Sequence, residues 1–440
     1  MIRTFSLTLL AALAMFVMVA CDAADPTATL EPSPTAVIDP TASPEATPTL
    51  TPAPGPTVTV VTPPSLLSPA TLVTRPAPVP TASPGPSAIP IPVPTREPTA
   101  LPEIFDLVLS EATLDPPNGI TFSMEGAGEQ PIEVIDLEFG RESVFSCAST
   151  SYTSARTAFD GEREVTTTWT WDMRRTGSIP PGSVVWWRWR VVDEQGQEHR
   201  TPRQTVVYSD DRFPWESHTS ENITFHWYAG GPDFGQRLAS EVEDKLDILQ
   251  LGKELEAPVQ AFIYETSADV IGAILFAQAW TGGLAFPSQN ILLITVDPDN
   301  FELDLPGLVH ELAHLLVGEV TFNCFGDLPR WLDEGLAVYS EGGPQEFQRF
   351  ALQEAIDNRE LISLRSLNSS FPASDTGATL SYALSWSLVD YMITAYGWPN
   401  MQELLAVFSE GSTYEAAVEQ VYGLDLDSLE DAWHLSLGLE

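Results

Sequence analysis

At 440 residues the chain is long enough for two or three domains. Its 61 acidic against 20 basic residues give a formal net charge of −41. That excludes nucleic acid as a partner, which needs basic patches, and suits a soluble protein outside the cytoplasm. Acidic runs such as Glu241-Val242-Glu243-Asp244 read as solvated helix faces.

The chain opens with Arg3, the apolar run Phe5 to Val19 and then small residues, the pattern of a secretion signal. The run is too short for a confident membrane span. Met18-Val19-Ala20-Cys21 resembles the bacterial lipoprotein signal, which implies that segment 1–21 ends at a lipidated, membrane-anchoring Cys21. An ordinary cleaved signal, or an uncleaved anchor with Cys21 incidental, would also export the protein. Residues 22–102 hold more than half of the chain's 38 prolines and show no apolar periodicity, so no core forms there. Extended polyproline II rises about 3.1 Å per residue, so this disordered Pro/Thr-rich stalk could reach on the order of 200 Å. That is enough to cross a cell-wall layer and place the folded part near the wall.

Residues 103–211 read as a β-sandwich. Val165, Thr167, Trp169 and Trp171 alternate onto one strand face, as do Val185, Trp187, Trp189 and Val191, with Arg188 and Arg190 outward. Pro180-Pro181-Gly182 and Asp193 to Gly196 bound the second strand as turns. Further strands are expected near Phe105–Leu109, Ile120–Met124, Ile132–Phe139 and Thr205–Tyr208. Six or seven short strands in this span resemble an immunoglobulin or fibronectin type III module. The tryptophans read as core, with a ligand platform as the alternative.

Residues 212–440 form the third region. Strands are expected at Asn222–Tyr228, Pro258–Tyr264 and Asn290–Val296, with a helix from Asp233 that places Leu238, Val242, Leu246 and Leu249 on one face. Then comes Leu308-Val309-His310-Glu311-Leu312-Ala313-His314-Leu315-Leu316-Val317. In a helix His310 and His314 share a face one turn apart. Burying two imidazoles and a carboxylate in so apolar a segment is costly unless something satisfies them. One zinc ion, held by both histidines with Glu311 facing an activated water, would do so. A core helix whose histidines bond to backbone is the alternative. Downstream, Trp331-Leu332-Asp333-Glu334-Gly335-Leu336-Ala337-Val338-Tyr339 offers Glu334 as a third ligand from a second helix. Gly335 and Ala337 would let that helix pack closely against the first. Helices are expected at Gln345–Asp357, Tyr382–Ala395, Met401–Phe408, Tyr414–Val421 and Leu426–Leu437.

The two motifs together, His310-Glu311-Leu312-Ala313-His314 and Leu328-Pro329-Arg330-Trp331-Leu332-Asp333-Glu334-Gly335, resemble the gluzincin metallopeptidases. The nearest resemblance is to the peptidase MA-like group, related to thermolysin and the zinc aminopeptidases. It implies an α+β thermolysin-like catalytic domain with a helical C-terminal subdomain, cutting peptides or proteins. It also implies Glu311 as general base, His310, His314 and Glu334 as zinc ligands, and Tyr382 (or Tyr339) as donor to the developing oxyanion. In that family the strand before the zinc helix pairs with extended substrate, which points to Ala285 to Val296, though a buried strand without that role is an equal reading. The acidic residue that thermolysin-type enzymes place one turn after the third ligand is Val338 here. Asp333 and Glu341 lie nearby, Asp333 on another helix face. Thr281-Gly282-Gly283-Leu284-Ala285-Phe286 has the glycines of the aminopeptidase branch without its glutamate, which favours an endopeptidase or a narrow processing role.

With Cys21 lipidated, Cys147 and Cys324 remain as either a bridge clamping the sandwich to the catalytic domain or two independent thiols. His434 reads as helix packing or surface. Two other readings stand beside an extracytoplasmic zinc metallopeptidase. One is an inactive binding or adhesion lipoprotein on a peptidase fold, and the other a zinc hydrolase of cell-wall amides.

Overall fold

The computed structural model describes residues 105–145, 147, 152–246, 255, 257–277, 281–372 and 374–439. The signal segment, Cys21, the Pro/Thr-rich stalk and Leu249 lie outside the described residues.

The Trp-rich alternation builds two facing sheets from β1 (Phe105–Asp115), β2 (Gly119–Gly128), β3 (Ile132–Arg141), β4 (Thr153–Arg156), β5 (Phe159–Asp160), β6 (Glu164–Asp172), β7 (Val184–Asp193), β8 (Glu198–Arg200) and β9 (Gln204–Val207). One sheet runs β1-β2-β6-β5 and the other β4-β3-β7-β8, with β9 also pairing β7. Val185, Trp187, Trp189 and Val191 of β7 pack inward on Ile120, Phe122 and Met124 of β2. Arg188 and Arg190 turn outward and pair with Glu138 and Asp136 of β3. Trp186 breaks the alternation. It points outward yet is 4% exposed, because Arg203 lies 3.8 Å above its ring.

After the sandwich come β10 (Glu216–Ser220), β11 (Ile223–Trp227), α1 (Phe234–Leu246), β12 (Val259–Tyr264), α2 (Ser267–Ala273), β13 (Gly283–Phe286) and β14 (Ile291–Thr295). The rest is helical: α3 (Phe301–Thr321), α4 (Arg330–Ser340), α5 (Glu346–Asn358), α6 (Leu364–Leu367), α7 (Asp375–Tyr396), α8 (Trp398–Ser409), α9 (Tyr414–Tyr422) and α10 (Leu426–Ser436). The sheet order is β10-β11-β12-β14-β13. β11, β12 and β14 are parallel, while β10 and β13 add antiparallel at the two edges.

The stretch Ala285 to Val296 divides between two strands, and its reading as a buried strand fits β14. β14 lies inside the sheet with Ile291 to Ile294 buried, a continuous apolar run suited to a strand covered on both faces. The edge is β13, which contains only Ala285 and Phe286 of that stretch. Gly335 does serve close packing, but against α7 rather than α3. A Cβ there would lie 2.5 Å from the Ser385 carbonyl oxygen and 2.6 Å from Val389. Gly335→Val should therefore destabilise the protein by roughly 1–3 kcal/mol, since overpacking against backbone outweighs its few tenths of gain in helix propensity. Thermal melting would check this; an unchanged melting temperature would show that α4 and α7 separate freely.

Sandwich and sheet domain fall in one unit, Val93–Glu440, and meet along a bonded seam. Cys147 and Cys324 form a disulfide between the loop after β3 and the loop after α3. Phe145 stacks on Phe322 at 4.4 Å. Ser143 Oγ and the Val144 N–H both donate to the Ser288 carbonyl. Farther along, Ser183 Oγ donates to Gln289 Oε1.

Candidate metal centre

α3 is a helix because its long apolar run carries good helix formers; Leu308, Leu312, Leu315 and Leu316 are buried in the main core. One stripe of it is polar. His310 and His314, four apart, present their rings on the same side with centroids 4.8 Å apart. α4 crosses that stripe and brings Glu334, whose Oε2 lies 3.4 Å from Nε2 of each histidine. The side chains are all nearly inaccessible, at 13%, 11% and 4% exposure.

The outer nitrogens are held as well. His310 Nδ1 bonds Glu341 Oε1 at 2.5 Å, and His314 Nδ1 bonds Asp333 Oδ1 at 2.9 Å. In the neutral imidazole, with Nδ1–H donating outward, each Nε2 would present its lone pair inward. Arg330 occupies Oε1 of Glu334 at 2.9 Å. Glu334 Oε2, buried, finds no hydrogen-bond partner among the described residues. With both imidazoles neutral, three electron-pair donors would face one another, an arrangement that is favourable only when protons or a metal ion lie among them. His310, His314 and Glu334, with donor atoms within 4.8 Å of one another, can hold a metal ion. The donor set, two imidazoles and a carboxylate, suits zinc with an open fourth position.

Protonation follows the same contacts. Burial pulls the His310 imidazole down, but Glu334 and Glu341 more than offset this and push it up to about 9. His314, opposed by burial and favoured by Asp333 and Glu334, is also raised well above the ordinary histidine value. Burial pushes Glu334 up, yet the two imidazoles beside it win and hold its carboxyl far below the usual range. Glu311 goes the other way: burial raises it, and the histidines only partly counter that.

Glu311 is buried beside this group and faces Gly283 on β13, where a Cβ would come 2.4 Å from its Oε1. The Tyr382 ring, on α7, lies 6.1 Å from the His310 ring and is packed edge-on by Phe371. Burial first, then Glu334, raises its phenol, so it stays a proton donor. His310, Glu311, His314, Glu334 and Tyr382 all line one cavity of 390 Å³, roofed by β13. Tyr339 packs against Trp398 instead, and His434 against Trp433.

Asp333 is a correction. Helical projection puts it on another face, yet it reaches His314, because Nδ1 points to the rim of the α3–α4 contact while Nε2 points to its centre. Glu341 sits just past α4, seven residues from Glu334, and folds back onto His310. Two turns of helix bring residues seven apart onto one face, so that spacing was the signal for it. Val338 is buried in the core rather than at the site. Arg330's grip on Glu334 follows an i,i+4 spacing that the motif also displays.

Residues 244–438 match the sequence model of the Peptidase MA superfamily, which supports a peptidase MA-like family and a peptidase-like protein. The comparison with curated proteins gives no match. Among solved structures, the chain is similar to BhCBM56 at 13% identity, over 23% of this chain and 91% of that one, with a TM-score of 0.17. It is similar to a polysaccharide deacetylase from Bacillus cereus at 8% identity, over 38% of this chain and 53% of that one, with a TM-score of 0.19. The chain thus spans about half the deacetylase's length, and likenesses this slight carry no argument.

Proposed function

We propose that this chain is an extracytoplasmic zinc-dependent metallopeptidase with a thermolysin-like, gluzincin catalytic domain behind an immunoglobulin-type sandwich. One observation carries the reading: two Nε2 atoms and an unpartnered, buried Glu334 Oε2 converge beside a buried Glu311. The Peptidase MA match over the same residues supports it. The strand orders β1-β2-β6-β5 and β4-β3-β7-β8 support the sandwich type, with β4 as an added edge strand.

His310, His314 and Glu334 would hold one zinc ion, which when bound polarises the substrate carbonyl and acidifies a water. Glu311 takes the proton of the attacking water and passes it to the departing amine. Its raised pKa brings it nearer to neutrality, where a base that must also act as an acid works best. Gly283 leaves space in front of that carboxylate for the water and the carbonyl. Tyr382 donates to the oxygen that becomes anionic. Asp333 and Glu341 fix the rings so that both Nε2 atoms face inward. β13, outermost in its sheet, offers main-chain groups to an extended peptide.

The N-terminal apolar run and Cys21 support export and lipid anchoring, and the Cys147–Cys324 bridge supports an oxidising compartment. Among the described residues no helix is long and apolar enough to cross a membrane.

Elemental mass spectrometry on the full chain and on Glu334→Ala tests the centre, followed by incubation with unfolded protein, peptides and peptidoglycan fragments. The expected result is one zinc per chain, lost or much weakened in the variant, with cleavage of peptides. A folded wild type without zinc would leave the inactive-lipoprotein reading, and cleavage of wall amides alone would leave the amidase reading.

A further inference from the structure

The cavity under β13 is only part of the cleft. A second cavity of 570 Å³ adjoins it, and the two share Pro287, His314, Arg330 and Asp333 in their walls. Their linings differ. The first is apolar away from the metal centre, with Ile274, Leu275, Phe276, Leu284 and Phe286. The second mixes Phe145, Pro287, Phe322 and Leu328 with hydroxyls and amides, among them Ser288, Asn323, Asn368 and Ser370.

Part of this second wall is not from the catalytic region. Phe145 belongs to the sandwich, and it is fixed there by its stack on Phe322, by the neighbouring disulfide and by the bonds to Ser288. Phe322 and Asn323 themselves lie in the loop that Cys324 tethers. The sandwich therefore shapes a cavity that reaches His314.

We propose that the sandwich is a working wall of the substrate groove, and that the groove takes an internal stretch of extended polypeptide through both cavities. This rests on the metallopeptidase reading of the same site. Apolar substrate side chains occupy the β13 cavity. Uncharged or basic ones occupy the second, where Asp327 disfavours acids. The bond between them lies at His310, His314 and Glu334, and water adds across it to leave a carboxylate on one fragment and an amine on the other. An enzyme cutting from the carboxyl end would instead anchor the terminal carboxylate close to the metal centre. Arg330, the cation lining both cavities, is already engaged by Glu334.

The test uses the full-length, zinc-loaded chain and fluorogenic peptides blocked at both ends. A short peptide covers the reacting bond and the β13 cavity. Two longer ones extend it by about four residues on one side or the other, in a strand rising about 3.3 Å per residue. One extended series should show kcat/KM roughly ten-fold or more above the short peptide, because remote contacts are spent on the chemical step. In Phe145→Ala that advantage should shrink to within about two-fold. Ser370→Trp, which fills the same cavity from an exposed position in its lining, should do likewise and serves if Phe145→Ala fails to fold. Equal rates on short and long peptides, retention of the advantage in both variants, or a need for a free terminus would each overturn the proposal while leaving the metallopeptidase standing. Failure to cut any peptide would overturn both.

Discussion

Glu311→Gln should keep its zinc yet lose roughly 10²–10⁴-fold in kcat/KM, the span that general base catalysis contributes. The side chain keeps its shape and its place opposite Gly283, but an amide cannot take a proton from water. Glu311 is not one of the three residues whose donor atoms converge, so metal content should be untouched. That separation makes the variant informative beside Glu334→Ala, where metal and activity should go together. Tyr382→Phe offers a graded comparison: loss of a single oxyanion donor costs about 10²–10³-fold in kcat, with KM little changed. Zinc analysis and steady-state kinetics on the same preparations read both. A Gln variant that sheds its zinc would make Glu311 a structural member of the centre, and one that keeps full activity would move the base elsewhere.

The ease with which this centre was read from sequence has a physical basis, and so do the gaps. His310, Glu311 and His314 were legible because helical spacing alone puts them on one stripe, in a helix otherwise so apolar that polar residues demand a reason. Glu334 is legible from the second motif on a second helix, whereas its small neighbour Gly335 packs against α7. Long alternating strands such as β7 were legible because period-two burial leaves a strong imprint. β13 was not: four residues beginning with glycine carry no periodicity, and only its pairing with β14 makes it the edge. Asp333 was misjudged because a helical wheel orders residues around one axis, whereas an imidazole has two nitrogens pointing in different directions. The sandwich's share in the cleft could not be read locally at all. Phe145 and Phe322 meet only after the chain has built both sheets and crossed the seam, although Cys147 and Cys324 already allowed the clamp.

Zinc affinity should fall as pH drops below about 9, by up to about 100-fold for each pH unit where both imidazoles carry a proton, because both protons must leave before both nitrogens can ligate. For two exposed histidines the fall would begin only near 6.5, their ordinary value. Here His310 is pushed up to about 9 and His314 is raised well above 6.5 by the acidic groups around them. Glu334 stays ionised until strongly acidic conditions and needs no deprotonation. Stability of the metal-free protein runs in the opposite sense. The raised histidines stabilise its folded state fully below about 6.5; the His310 contribution is lost as pH rises through about 9 and that of His314 as pH rises through its own raised value. The depressed Glu334 contributes above about 4.3, and its share is lost as pH falls through its folded-state value. The cluster therefore helps the chelated protein most between about 4.5 and 6.5, while zinc helps the loaded protein increasingly above that window. Calorimetric melting temperatures with zinc and with chelator should diverge as pH is raised from about 6 to about 9. A gap that stays constant, or narrows, would mean that zinc displaces no protons from His310 and His314.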